Sequence, residues 1–493
     1  MSVVSRNIFW NLLGYGLPLI AALFSIPALI SALGTDRFGT LMLIWAVISY
    51  FGYFDIGVGR AMTQRIAAAI GRGDSNGADV DATTGVGMTF LLGVVTAVVA
   101  WAISDWLVYS VLEIPAELQA ETVQAFRIIG LSLPLVIGTT GLRGVIEAHG
   151  RFVALNWLRV PMGIYTFVAP LAVTIWTTSL SMVAAVLVLG RLVGFVAHWI
   201  LCIQSVPRMM KSPRFDRARV RVLITTGGWM TVSSVVNPLM ATIDRFFVGA
   251  YLSVDEVTYY ATPYEAVTKL WHIPSAITGV LFPAFATQLA QDRPKAVRLF
   301  KQSYDFSIMV LFPLCLILIV FAGPMLGLWI GPQFMMKSTA VFQWLAIGVF
   351  LSSLGSLPFA LVQAAGHPHL TAGLNLLELP LYTVALWIVV GIHGIEGVAL
   401  VWSFRMAVDT LALMGLSSVV VRELTGSIAR PLLWTIGCAA ALILPIVSSF
   451  FNSGLGVAMI LILFGIASWL VLLDSKERSL LLRVLRPGLS GSS

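Results

Sequence analysis

Residues 180–203 read LSMVAAVLVLGRLVGFVAHWILCI, an apolar run in which the only cation is Arg191. A helix needs about 20 mostly apolar residues to cross the hydrocarbon of a bilayer, so this stretch predicts a transmembrane helix. The rest of the chain has the same character. Of its 493 residues, 58% are hydrophobic and 11% are charged, whereas a soluble globular domain carries about 25% charged residues. The sequence therefore predicts an all-α polytopic membrane protein.

Fourteen such stretches can be marked along the chain, separated by short polar breaks. They are 8–32, 38–57, 84–104, 122–147, 154–177, 180–203, 223–250, 257–286, 303–326, 340–364, 370–391, 395–420, 432–451 and 455–474. An even number of crossings places both termini on the same side of the membrane. We therefore expect 14 transmembrane helices and no separate soluble domain on either face.

Positive charges are distributed unevenly among these breaks. Of the 30 Lys and Arg residues, 21 lie in one alternating set of breaks and termini, two (Arg37 and Lys337) lie in the other set, and seven lie inside the apolar stretches. Basic residues flank the cytoplasmic ends of membrane helices, where the anionic leaflet attracts them. The pattern predicts cytoplasmic N- and C-termini. It also explains the net charge of +7 without nucleic acid as a partner.

The chain contains an internal repeat at a spacing of 219 residues, since LNWLRVP at 155–161 recurs as LNLLELP at 374–380. Asp36 matches Asp255 at the same spacing, and AHG at 148–150 parallels AAG at 364–366 with a small shift. The spacing corresponds to six predicted helices, so the two copies have the same orientation and are related by an axis along the membrane normal. The predicted domains are an N-lobe (1–203), a basic cytoplasmic linker (204–222), a C-lobe (223–421), and a C-terminal region (422–493) with helices 13 and 14 and a basic tail.

Four segments resemble bacterial polysaccharide and O-antigen flippases. They are LGTDRFGTLMLIWAVISYFGYFDIGVGRAMTQRIA (33–67), EAHGRF (147–152), DRFFVGAYLS (244–253) and LFPAFATQL (281–289). The resemblance implies two lobes of six helices plus two further helices in a bacterial inner membrane. It also implies export of an undecaprenyl-pyrophosphate-linked oligosaccharide by alternating access, driven by a proton or sodium gradient without a bound cofactor.

The resemblance extends to partners. It implies a lipid-linked oligosaccharide as substrate, contact with membrane lipids, and association with a glycan polymerase and other proteins of the export cluster. The chain itself is expected to be a monomer. No P-loop, zinc-ligand spacing or catalytic triad pattern occurs in the sequence, so an enzyme is not expected.

Two other transporters of the same superfamily remain alternatives. A multidrug or toxic-compound exporter typically has an acid in its first lobe that attracts cationic drugs, and predicted helix 1 (8–32) contains none. A lipid II flippase would need a cationic cleft like the one expected here. A membrane enzyme of glycan assembly is disfavoured, because such enzymes carry a large outward loop and the longest outward break (105–121) is short.

The seven cations inside the apolar stretches are the natural ligands for a pyrophosphate group. A cation in hydrocarbon costs about 3 kcal/mol or more unless it has a partner or a wet cavity, and Arg binds phosphate oxygens through two parallel hydrogen bonds. The predicted substrate-binding residues are Arg191, Arg405, Arg159, Arg245, Lys269 and Arg143. Arg191 and Arg405 have corresponding places in the repeat, so we expect one Arg from each lobe to form a phosphate clamp.

Acids four residues away predict ion pairs within single helices for three of these cations. The expected pairs are Arg143 with Glu147, Lys269 with Glu265, and Arg405 with Asp409.

Coupling to an ion gradient requires a carboxylate that binds and releases a cation. The predicted coupling residues are Asp55, Asp244, Glu265, Asp305 and Glu378. Glu378 has the repeat position of Arg159, so we expect these two side chains to pair across the cleft between the lobes. His198 and His272 are interpreted as packing residues held by hydrogen bonds.

Overall fold

The computed structural model describes residues 3–53, 58–206, 216, 219–220, 235–449, 451 and 454–472. These residues are helical apart from short turns, and none of them lies in a strand, which confirms the all-α prediction. The helices are α1 (Val3–Tyr53), α2 (Val58–Gly71), α3 (Ser75–Trp106), α4 (Ala116–Leu131), α5 (Leu133–Ala148), α6 (Phe152–Val173), α7 (Leu180–Ser205), α8 (Ile243–Tyr251), α9 (Val254–Thr268), α10 (His272–Gln291), α11 (Arg293–Val320), α12 (Ala322–Trp329), α13 (Pro332–Ala364), α14 (Pro368–Val420), α15 (Ala429–Val447) and α16 (Gly454–Ala467).

Ten helical stretches within these residues are long and apolar enough to cross a membrane. Two of them, Leu17–Phe51 and Pro368–Val420, each contain two predicted crossings. The ten stretches correspond to twelve predicted crossings, because crossing 5 (154–177) is not among them and part of crossing 7 (223–250) lies outside the described residues; the exact number of 14 remains a prediction. Large apolar side chains on the surface, such as Trp176 at 80% and Leu328 at 91% exposure, are consistent with a face in contact with lipid.

Two glycines interrupt the longest helices where the sequence predicts the end of a crossing. Gly34 in α1 has φ 76°, and Gly394 in α14 has φ 56°. Glycine enters this left-handed region without the steric penalty that a Cβ atom brings. Each long element is therefore two helices joined at a glycine, as the breaks after residues 32 and 391 predict.

The chain forms two compact units, which do not follow the chain order. The first contains residues 1–269 and 368–401, and the second contains residues 270–367 and 402–493. The division into an N-lobe, a linker, a C-lobe and a C-terminal region is an inference from the repeat and remains a prediction.

In the first unit, α5 packs against α2, α3 and α7. Thr63 Oγ1 donates to Gly59 O at 2.9 Å and lies 3.1 Å from Gly144 O, which joins α2 to α5. Glycine brings the helices close: a Cβ atom at Gly141 would lie 2.3 Å from Thr89 Oγ1. Lipid is as apolar as a side chain, so helices in a membrane associate through such close packing and hydrogen bonds.

The start of α9 packs against the turn at Gly34, also within the first unit. Thr258 Oγ1 donates to Thr35 O at 2.7 Å. A Cβ atom at Gly39 would lie 1.7 Å from Val254 O, so the two backbones approach as closely as glycine permits. Segments that are more than 200 residues apart in the chain are thereby held together.

In the second unit, α13 packs against α10, α11, α12 and α15. Gln343 Nε2 donates to Ile319 O at 2.9 Å, and the hydroxyl oxygens of Tyr304 and Thr435 are 2.6 Å apart. These buried polar groups are paired, as an interior without water requires.

Candidate functional site

A cavity of about 280 Å³ lies between α5, α6 and α7 in the first unit. Three of the predicted substrate-binding residues line it, namely Arg143, Arg159 and Arg191, and each comes from a different helix. His198 also lines the cavity. None of the lining residues found in the described part of the chain is acidic, so its walls carry positive charge only.

The turn between α5 and α6 brings Arg143 and Arg159 to the same cavity. Gly150 has φ 72°, its N–H donates to Glu147 O at 2.9 Å, and Arg151 N donates to Ile146 O at 3.2 Å. This pair of bonds is the Schellman arrangement that ends a helix at a left-handed glycine. Gly366, with φ 83°, ends α13 in the same way, so the AHG and AAG segments have the same backbone arrangement.

Glycines on α7 allow side chains of α6 to pack closely against it at the wall of the cavity. A Cβ atom at Gly190 would lie 2.2 Å from the Tyr165 ring, and one at Gly194 would lie 3.1 Å from Met162 Sδ. Tyr165 Oη donates to Val186 O at 2.8 Å, which fixes the ring against α7. The ring therefore forms a rigid part of the wall beside Arg191.

The three cavity arginines differ in their partners. Arg143 pairs with Glu147 at 3.7 Å, which confirms the pair expected from their spacing, but both side chains are substantially exposed, at 42% and 33%. Arg191 is half-buried, and its guanidinium forms no hydrogen bond or ion pair with any residue that the structure describes. A half-buried guanidinium of this kind is available to an anionic ligand.

A second group of predicted residues is joined through Glu265, near the end of α9, where the start of α8 lies beside it. Arg245 Nη2 is 2.8 Å from Glu265 Oε1, and Lys269 Nζ is 2.9 Å from Glu265 Oε2. The expected pair of Glu265 with Lys269 is confirmed. The sequence pattern did not indicate that Arg245 shares the same carboxylate, because it lies 20 residues earlier on another helix.

Asp244 completes this group. It is fully buried and accepts hydrogen bonds from Tyr260 Oη at 2.6 Å and from the backbone N–H of Arg245 at 2.9 Å. The Arg245 guanidinium also lies 4.7 Å from the centre of the Tyr264 ring. Two cations and two carboxylates thus form one charge-balanced cluster, in contrast to the cavity.

Three other predicted residues, Asp305, Arg405 and Glu378, are not among the residues that line the cavity. Asp305, in the second unit, pairs with Arg430 at 2.7 Å. Arg405 is half-buried on α14, and Glu378 is buried on the same helix. Asp55 lies outside the described residues. The expected pairing of Arg159 with Glu378 and the clamp of Arg191 with Arg405 remain predictions.

One polar cluster was not predicted. Asp81, which is 2% exposed, lies 2.8 Å from Arg219 Nη1 and 3.2 Å from Arg65 Nη2. Arg219 Nη1 also donates to Gly77 O at 3.0 Å, and the hydrogen bond with Asp81 raises the pKa of the Arg219 guanidinium. This cluster fastens part of the predicted linker to α3. The available signal was the presence of three acids, Asp74, Asp79 and Asp81, in a predicted cytoplasmic break that also contains three arginines.

Comparison with known proteins identifies the family to which the chain belongs. Residues 29–339 match the family described as polysaccharide biosynthesis protein. The "Putative O-antigen transporter" of Shigella flexneri is 28% identical over 420 residues, which cover 84% of this chain and 98% of that protein.

Two solved structures share the fold. An inward-facing multidrug resistance MATE family transporter of the MOP superfamily has a TM-score of 0.69 at 15% identity, over 84% of this chain and 99% of that one. The lipid II flippase MurJ in its inward closed conformation has a TM-score of 0.65 at 14% identity, over 98% of this chain and 99% of that one. The similar proteins are transporters and a flippase, not enzymes. Because the family match covers more than half of its length, the chain belongs to the polysaccharide biosynthesis protein family, as a multi-pass membrane transporter with the MATE and MurJ fold.

Proposed function

We propose that the protein moves an oligosaccharide linked to undecaprenyl pyrophosphate from the inner to the outer leaflet of the bacterial cytoplasmic membrane. The observation that carries this proposal is the cavity between α5, α6 and α7, which three arginines line and to which no described acid contributes. The pyrophosphate is the anionic neck of such a substrate. Guanidinium groups bind its oxygens in pairs of parallel hydrogen bonds.

The charge of the cavity favours an anion over the cationic cargo of a multidrug exporter. Two unit charges 4 Å apart interact with about 4 kcal/mol at an effective dielectric constant of about 20. That energy is favourable for each phosphate charge near an arginine and unfavourable for a drug cation at the same place. Arg191 has no described protein partner, so a bound phosphate would satisfy it. A lipid II flippase remains the second candidate, since its cargo would meet the same cations.

Alternating access is supported by the contact between the Gly34 turn and α9. In the predicted orientation, with cytoplasmic termini, both segments lie at the outward side of the membrane. The hydrogen bond from Thr258 to Thr35 would then close the outward ends of these helices. The inner leaflet is the side from which a lipid-linked precursor made in the cytoplasm would enter.

We assign the pyrophosphate to Arg191, Arg159 and Arg143, with Arg405 as the second half of the clamp. Arg245 and Lys269 share Glu265 in a balanced cluster, so we place their contact with substrate later on the path. Export is driven by a proton or sodium gradient in this proposal. Among the proposed coupling residues, Asp244 and Glu378 are the more buried. Glu265 and Asp305 already form ion pairs. Asp55 remains a proposed coupling residue on the basis of the sequence.

The proposal includes further partners. A glycan polymerase and other export proteins would use the delivered substrate, and a monomer would be the working unit.

Export complementation of a strain that lacks the gene tests this function. Arg191→Ala is expected to abolish export while membrane abundance stays normal, because the substituted side chain has no structural partner to lose. Arg191→Lys should retain part of the activity, since it keeps the charge but not the planar fork. Arg405→Ala should also impair export if the clamp exists.

The control is Arg151→Ala, an exposed basic residue outside the cavity, which should export normally. Normal export by Arg191→Ala would overturn the assignment of the cavity. Loss of drug resistance in place of loss of glycan export would favour the multidrug alternative.

A further inference from the structure

We infer that His198 is a specificity residue, whose Nε2 atom accepts a hydrogen bond from the sugar that is attached directly to the pyrophosphate. This inference rests on the proposed function, because it concerns the same cavity. It adds a requirement on the substrate: the first sugar must present a hydroxyl or amide donor at a defined position.

The ring of His198 is fixed by a single backbone contact. Its Nδ1 atom is 2.7 Å from Gly194 O, and the residue is 8% exposed while lining the cavity. A carbonyl oxygen can only accept, so Nδ1 carries the proton of that bond. In the neutral ring Nε2 is then an acceptor, and it forms no hydrogen bond with any residue within the described ranges.

The charges around the ring favour its neutral form. Three arginines line the same cavity: Arg143 on α5, Arg159 on α6 and Arg191 on α7. Arg143 is paired with Glu147, one turn further along α5, and Tyr165 on α6 also lines the cavity. Three guanidinium groups oppose a fourth positive charge in the same cavity. The Tyr165 hydroxyl already donates to a backbone carbonyl.

The charged groups of α4, which also packs against α7, do not alter this balance. Glu121 accepts a hydrogen bond from Leu180 N, at the opposite end of α7 from His198, and Arg127 pairs with Asp105. On the side of α3, Phe90 packs against Phe195 and contributes no charge.

His198 is therefore an acceptor in a cavity whose charged groups are all donors. Its distance from Arg191 suits a sugar rather than a phosphate. The two residues are seven positions apart on one face of α7, which corresponds to about 10 Å along the helix axis. A pyrophosphate held at Arg191 and Arg159 would place its first sugar in the direction of His198. An arginine side chain cannot accept a hydrogen bond from a sugar hydroxyl or amide, whereas Nε2 of His198 can.

Binding to the purified full-length protein in lipid nanodiscs tests the inference. Farnesyl pyrophosphate linked to glucose, galactose or N-acetylglucosamine is compared first, and the compound that binds most tightly is used as the probe. Each hydroxyl of the sugar is then replaced singly by fluorine, and the acetamido group of N-acetylglucosamine by acetoxy, so that each change removes one donor and alters little else. We expect one such analogue to bind the wild-type protein about three- to tenfold more weakly than the parent, as for the loss of one neutral hydrogen bond.

His198→Phe is expected to bind that analogue and the parent equally well, so that the discrimination disappears. His198→Gln, whose amide oxygen can accept, should restore part of it. The matched control is His272→Phe, at an exposed histidine outside the cavity lining, which should discriminate like the wild type.

Discrimination that persists in His198→Phe, or that is absent from the wild type, would overturn the inference. A uniform loss of affinity for all analogues in His198→Phe would also overturn it and would indicate an imidazolium that binds phosphate. The proposed function fails separately if the wild type binds the probe no better than farnesyl hexoside without pyrophosphate, or if binding does not depend on Arg191.

Discussion

Substitution of Glu265 by Gln removes the carboxylate that two cations share. Arg245 Nη2 and Lys269 Nζ lie 2.8 Å and 2.9 Å from its two oxygens, and the Arg245 side chain is only 5% exposed. Glutamine has nearly the same shape, but its amide nitrogen would face one of the cations. The change therefore removes the carboxylate that the buried guanidinium contacts directly, and Asp244 is then the one acid left in the cluster.

The size of the effect follows from burial. Breaking a buried ion pair by removing one partner costs about 3–5 kcal/mol. Glu265 and Lys269 are 25% and 29% exposed, so water screens part of the interaction. Arg245 also keeps its contact with the Tyr264 ring, and a contact of this kind contributes about 1 kcal/mol. We therefore expect Glu265→Gln to lower the free energy of unfolding by about 2–3 kcal/mol.

The control is Glu147→Gln, which breaks the Arg143 pair in the cavity wall. That pair spans 3.7 Å between side chains that are 42% and 33% exposed, and exposed pairs contribute about 0–1 kcal/mol. Denaturant unfolding of the purified protein in detergent, followed by tryptophan fluorescence, measures both. The double variant Arg245→Met with Glu265→Met should recover part of the loss, because it removes the buried guanidinium together with its carboxylate while Asp244 keeps its hydrogen bonds from Tyr260 Oη and from the backbone N–H of residue 245. Equal losses for Glu265→Gln and Glu147→Gln would refute the reasoning.

Two further predictions concern the turns and the linker. At Gly150 the backbone has φ 72°, and no neighbouring atom lies within 4 Å of an added Cβ, so Gly150→Ala should destabilise the protein through backbone strain alone, by about 1–2 kcal/mol in the same unfolding assay. The control is Gly279→Ala, which also has open space but no left-handed φ and should cause no such loss. Similar losses for both variants would contradict the argument. Asp81→Asn removes the acid that pairs with Arg65 and Arg219, so trypsin should cleave after Arg219 several times faster, as measured by mass spectrometry of timed digests. The control is Glu117→Gln, at an exposed acid, which should not change the cleavage rate. Unchanged cleavage in Asp81→Asn would show that Asp81 does not hold the linker.

Local patterns were sufficient for the helices and for contacts within one helix. The ends of the predicted crossings coincide with Gly34 and Gly394, because a positive φ at glycine ends a helix wherever it lies in the fold. The Lys269 and Arg143 pairs followed from a spacing of four residues, which places both side chains on one helix face.

Contacts between helices could not be obtained in this way. Arg245 and Glu265 are 20 residues apart, and Asp305 and Arg430 are 125 apart; no periodicity in the sequence relates such positions. The sequence indicated which residues were too costly to leave in lipid, but it could not choose their partners.

The sequence by itself determined that this chain is a helical membrane protein with an internal repeat and seven cations inside its apolar segments. Hydropathy and spacing are properties of neighbouring residues, and the lipid environment acts on them directly. Only the tertiary structure decided that Arg143, Arg159 and Arg191 meet around one cavity while Arg245 and Lys269 share the carboxylate of Glu265. That difference depends on which helix faces pack together, and in a membrane this is decided by close packing and hydrogen bonds between distant segments.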